Sequence, residues 1–203
     1  MIRFKSPIEN ISEYQSGPLP KNAIRIETPS TIEELMKKAT PIAVILCVIL
    51  FAAMLVKNLY CREMVIAPFM IAVGFFIGFC LLIVHEWLHA IVYPKEAEVT
   101  IGRLRGRITF VALASYPLTR RRFVLMSLLP FVLGLLPLGL FILGKPEWRI
   151  FNGLMFGMAG IGMVSPFPDV YNVLTVLRKA ETTDHIMFHK DDLYRVPLEG
   201  NNG

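Results

Sequence analysis

Four long apolar runs decide what this chain can fold into, because an uncharged stretch of ~20 residues suits lipid better than a water-facing core. The first covers about residues 39–56 and stops at Lys57; the second covers about 64–93 and stops at Pro94. A third, 123–143, follows the triplet Arg120, Arg121 and Arg122, and a fourth begins near Ile150. Composition agrees: 54% of the residues are hydrophobic and 18% charged, where a soluble domain carries about 25% charged. The expected fold class is therefore an all-α multi-pass membrane protein with about four transmembrane helices. The last run passes Val164 into SPFPDVYNVLTVL, where Pro166 and Pro168 are expected to break the helix, since the residue before a proline avoids the α region. Irregular backbone at membrane depth is tolerated only under a cover of protein or water, so this segment is expected to face the bundle interior.

Charge sets the expected orientation. Residues 1–38 carry six Lys and Arg, 94–122 carry seven and those after 177 carry four, whereas the two other connections hold only Lys57, Arg62, Lys145 and Arg149. By the positive-inside rule both termini and the 94–122 loop are cytoplasmic, in a multi-pass protein of the cell membrane. The net charge of +5 does not point to nucleic acid, because the cations flank apolar runs and form no basic stripe interleaved with aromatics. Cys47, Cys61 and Cys80 are an odd number without a CxxC pair, which excludes a disulfide framework and a thiolate zinc knuckle. The opening MIRFKSPIENISEY lacks an apolar core and is expected to be retained.

The polar parts divide into a cytoplasmic N-terminal segment 1–38, a four-span domain 39–177 and a cytoplasmic tail 178–203. In TPSTIEELMKKA, Ser30 and Thr31 each precede a glutamate by three, Glu33 and Glu34, which predicts a capped short helix leading into the first span. AEVTIGRLRGRITFVALAS alternates β-branched residues around glycine and predicts a small cytoplasmic β-hairpin over 98–114. DHIMFHK fits a strand, which would hold His185 and His189 about 13 Å apart and leaves them a solvated or packing role. GLMFG, with Gly153 and Gly157, predicts close helix approach inside the bundle. Met155, Met158 and Met163 read as adaptable core.

The second run ends in HEWLH. His85 and His89, at i and i+4, share one helical face. Both imidazoles can therefore reach one Zn²⁺ at ~2.0–2.1 Å, and the adjacent Glu86 is placed to take a proton from water on that metal. A catalytic zinc needs a third protein ligand. Val92 and Lys95 occupy the positions where a metzincin has glycine and histidine, so that class is excluded. Asp169 is the best-placed carboxylate: His85 lies twenty residues past Val65 and Asp169 nineteen past Ile150, in spans running the same way. At ~1.5 Å per residue the two reach nearly one level. Glu181 is the competing carboxylate, and Asn172, on the Asp169 face one turn later, is a candidate to orient substrate.

HEWLHA closing an apolar run, the short basic hairpin, RRRFVLMSLLP and an aspartate followed by VYNVLTVL together resemble the bacterial membrane proteins called putative zincin peptidases. That group is similar to the site-2 proteases. The resemblance covers roughly residues 60–180 and implies zinc held by His85, His89 and Asp169, Glu86 as general base, and a hairpin that meets substrate. Val170 stands where site-2 proteases have glycine after the aspartate, and no Asn-Pro-Asp order precedes it. The implied activity is hydrolysis of a peptide or a single-span membrane protein in or near the cytoplasmic membrane face. The rival reading is a non-catalytic metal-binding or vestigial membrane scaffold, distinguished by a closed four-ligand site.

Overall fold

The computed structural model describes residues 1–29, 31–106, 110–190 and 192–198. Among them, four helical stretches are long and apolar enough to cross a membrane: Ile32–Cys61, Pro68–Val92, Arg120–Leu143 and Arg149–Lys179. They coincide with the four apolar runs. A short helix α1 (Ile11–Tyr14) is capped by Asn10, whose side chain accepts from the Ser12 amide. The next, α2 (Ile32–Cys61), corrects one expectation: the capped lead-in and the first span are a single helix, with Pro41 inside it. Thr31 caps it by accepting from the Glu34 amide at 3.1 Å, while Ser30 lies outside the described residues.

The other three stretches are interrupted. The second comprises α3 (Pro68–Cys80) and α4 (Leu82–Val92), parted at Leu81, whose N–H reaches both the Ile77 and Gly78 carbonyls. The third is α5 (Arg120–Leu128), a 3₁₀ turn over Leu129–Phe131 and α6 (Val132–Leu143). The fourth is α7 (Arg149–Val164) and α8 (Phe167–Lys179), broken at Ser165 and Pro166 where the prolines predict it.

The chain forms two compact units that cut across its linear order. One comprises Ala39–His85 and Pro130–Pro168. Here α3, α6 and α7 meet backbone to backbone. A Cβ on Gly157 would stand 2.3 Å from the Ile71 carbonyl oxygen, and one on Gly74 2.3 Å from that of Leu154, so both crossing positions require glycine. The GLMFG motif therefore packs within the bundle, as its spacing predicts. Leu138, Phe141, Met155, Phe156, Ala159 and Met163 fill the core, with Leu50 of α2 joining them and Met158 packing against it. The outward residues of α2 remain apolar and open, including Val44, Val48, Phe51 and Leu55, and only 11% of its apolar window is buried.

This unit also buries a polar cluster. Asn152 is fully buried, and its amide donates to the carbonyls of Val65 at 3.0 Å and Lys145 at 2.8 Å. The Lys57 ammonium donates to the carbonyls of Phe141 and Gly144 and lies over the Phe141 ring. Both Lys57 bonds and the Asn152 bond to Lys145 close on carbonyls at the end of α6 or just past it, where four carbonyls have no helical partner and a cation is favoured.

The other unit comprises Met1–Lys38, Glu86–Leu129 and Asp169–Gly203. It holds more β structure than the expected hairpin. β1 (Ile2–Phe4) runs parallel to β3 (Val99–Arg103), which pairs antiparallel with β4 (Phe110–Leu113) in the register Thr100↔Leu113 to Arg103↔Phe110. These last two strands fall in the expected hairpin, whose residues 107–109 lie outside the described residues. A second sheet has the order β2 (Ile24–Ile26), β7 (Asp192–Val196), β6 (His185–His189) and β5 (Leu118–Thr119). Residues read as an N-terminal segment and a C-terminal tail thus share one sheet; of that tail, 191 and 199–203 lie outside the described residues. Ile26, Leu118, Ile186 and Leu193 from its strands pack on Val92, Phe123, Met126 and Val176 from α4, α5 and α8.

Candidate metal centre

The HEWLH histidines sit on α4, with His85 5% and His89 7% exposed. The His85 amide bonds the Leu81 carbonyl, so a continuous helix carries His85 one turn ahead of His89 and puts both on one face. Asp169 stands in the first turn of α8, just past the proline break. His89 Nε2 and Asp169 Oδ2 are 3.6 Å apart, and Asp169 keeps 25% of its side chain exposed.

A third element orients His89. Its Nδ1 lies 2.8 Å from the backbone carbonyl of Met126 on α5, a partner that can only accept. The Nδ1 proton therefore goes to that carbonyl, and Nε2 is the ring nitrogen turned toward Asp169. Histidines that bind metals are held in this way, the second ring nitrogen donating to a carbonyl or carboxylate.

His85, His89 and Asp169 form a group able to hold a metal ion: one ligand atom from each, all within 4.8 Å of one another. The donor set fits zinc. Two ligand atoms on a tetrahedral ion at ~2.0–2.1 Å are separated by ~3.3–3.4 Å, close to the His89–Asp169 spacing, and three protein ligands leave a fourth position open. Glu86, half-buried, follows His85 directly on α4.

The remaining candidates fall elsewhere. Asn172 is half-buried on α8 one turn beyond Asp169 and lies outside the three-residue group. Glu181 is exposed beyond the end of α8, its amide donating to the Asp184 carboxylate at 2.8 Å, and is no member either. His185 and His189 lie on β6, where His189 Nδ1 faces the Gly17 carbonyl at 3.0 Å and the ring packs edge-on against Tyr194. The Met126 carbonyl is the contact that sequence reasoning misses. Every residue has a carbonyl, so nothing in the sequence distinguishes this one.

Neither a search of curated proteins nor one of solved structures finds a match to this chain. A family model described as Putative zincin peptidase matches residues 78–183, which takes in HEWLH, both sides of the hairpin and the Asp169 helix. With more than half of its length matched, and with a two-histidine, one-carboxylate group on the matched residues, the chain belongs to the Putative zincin peptidase family.

Proposed function

We propose that this chain is a membrane-embedded zinc metallopeptidase of the HExxH type, similar to the site-2 proteases, that cleaves a peptide or single-span membrane protein in or near the cytoplasmic membrane face. The observation that carries the reading is the His89–Asp169 approach at 3.6 Å with His89 Nδ1 turned onto the Met126 carbonyl. That arrangement turns an imidazole nitrogen and a carboxylate oxygen toward each other from two helices, where a single cation would be met by both.

His85, His89 and Asp169 would hold the ion. Zinc, when bound, supplies Lewis acidity that lowers the pKa of water to near neutrality and polarises a carbonyl. Glu86 takes the proton of the attacking water and returns it to the leaving amine nitrogen. Asn172 is placed to orient the substrate carbonyl. Carboxylates on apolar spans are costly and rare, so Glu86 and Asp169 favour a functional site over an incidental one.

A helical substrate hides its backbone, so it must be drawn out before cleavage. β4 is the end strand of the β1-β3-β4 sheet, and an extended segment can add to it by main-chain pairing. The positive-inside count favours both termini and this sheet on the cytoplasmic side.

The test uses the purified full chain, wild type beside Glu86→Gln, with metal analysis and a cleavage assay on single-span substrates. Retained zinc with lost cleavage supports the peptidase. Cleavage that persists in Glu86→Gln overturns it, and zinc without any cleavage in the wild type returns the scaffold reading.

A further inference from the structure

The proline break between α7 and α8 leaves polar atoms beside His85 that the proposed chemistry does not use. Ser165, the last residue before Pro166, donates its amide to the Ile161 carbonyl at 2.9 Å. Its hydroxyl oxygen is buried and makes no hydrogen bond among the described residues. Serine near a helix end commonly bonds a carbonyl three or four residues back, so this side chain has forgone its usual local partner. It lines a small cavity of about 10 Å³ together with Gly162, Leu81 and His85. That is the room one water takes.

Gly162 adds an acceptor there. In a continuous helix its carbonyl would receive the N–H of residue 166, but Pro166 has none. A side chain at Gly162 is also ruled out, since a Cβ would stand 2.4 Å from the Leu133 carbonyl oxygen. The lining residues therefore include a serine with an unbonded hydroxyl, a glycine whose carbonyl has lost its helical donor and a histidine, beside Leu81, Leu133 and Ile161. Buried waters are held by two to four such groups.

We propose that Ser165 is a positioning residue for His85: its hydroxyl, the Gly162 carbonyl and the His85 ring hold one water, which fixes the tautomer in which His85 meets the metal. The inference rests on the reading of His85 as a ligand. His89 is oriented directly by the Met126 carbonyl, whereas His85 is oriented through Ser165 and water. Pro166 thus does two things in one step, turning the chain toward Asp169 and releasing the carbonyl that anchors the water.

The experiment measures zinc affinity of the full chain in detergent by chelator competition, without reference to cleavage. Ser165→Ala and the nearly isosteric Ser165→Cys are expected to weaken zinc by about 10–100-fold, as loss of an orienting partner does, and Ser165→Thr, which keeps the hydroxyl, to restore it. Nitrogen NMR of the zinc-free protein supplies a readout that general loosening would not produce: Ser165→Ala shifts the tautomer balance of His85 and leaves that of His89 unchanged. Affinities of Ser165→Ala and Ser165→Cys within about twofold of wild type, with the His85 signals unmoved, would overturn the role of Ser165 and leave the metal reading standing. Zinc bound equally by wild type and His85→Ala would instead defeat the metal reading at His85, and this inference with it.

Discussion

His89 Nε2 faces Asp169 Oδ2 at 3.6 Å, with the opposite ring nitrogen tied to the Met126 carbonyl at 2.8 Å. One partner comes from an HExxH helix and the other from the first turn after a proline break, 80 positions later. Asp169→Ala is expected to weaken zinc binding severely and to abolish cleavage, because two remaining ligands make an incomplete site. Glu181→Ala should leave both intact. Zinc retained in the first variant and lost in the second, by metal analysis of the purified proteins, would move the third ligand to Glu181.

The histidines separate in the same assay. His85→Ala and His89→Ala should each lose most bound zinc, since neutral imidazoles on one helical face are needed. His185→Ala, on β6 and outside the metal group, should bind as wild type does. Equal loss at His185 would contradict the assignment.

Glu86→Gln preserves shape and hydrogen bonding but removes the proton acceptor. Its cleavage rate should fall by about 10²–10⁴, the usual contribution of a positioned general base, with zinc content unchanged. A rate within a few fold of wild type would exclude Glu86 from proton transfer.

Helix crossing in the α3–α6–α7 unit depends on absent side chains. A Cβ on Gly157 meets the Ile71 carbonyl oxygen at 2.3 Å, whereas one on Gly139 meets nothing within 4 Å. Gly157→Ala is expected to cost about 1–3 kcal/mol through forced backbone shifts. Gly139→Ala should be neutral or stabilising by up to ~1 kcal/mol, glycine being the poorer helix former. Unfolding of both variants in detergent checks the contrast.

The charge distribution makes a prediction about sidedness. Cysteines placed at both termini and at Arg105 should react with membrane-impermeant reagent only from the cytoplasmic side, and one at Glu147 only from outside. Labelling of Arg105→Cys in intact cells would invert the topology.

Much of this protein is determined by features that local sequence carries. Apolar run length selects four helices long and apolar enough to cross a membrane, since a helix pairs its backbone groups within one segment. Missing N–H groups at Pro166 and Pro168 place the helix break, and i,i+4 spacing alone puts His85 and His89 on one face. The rise per residue brings Asp169 to the level of His85, so the members of the metal group were legible before any fold was known. The β3–β4 hairpin and the strand at DHIMFHK were legible from alternation as well, but the sheets that they join were not. β1, β2 and β5, of two or three residues, are too short to show a period, and β1 meets β3 through Ile2↔Val99, a pairing between residues far apart in the chain. Nor could any residue type announce that the carbonyl of Met126 would orient His89, or that Lys57 would close on the carbonyls of Phe141 and Gly144 and Asn152 on those of Val65 and Lys145. Main-chain polar groups are identical at every position, and only tertiary packing decides which of them is buried beside a side chain that needs a partner.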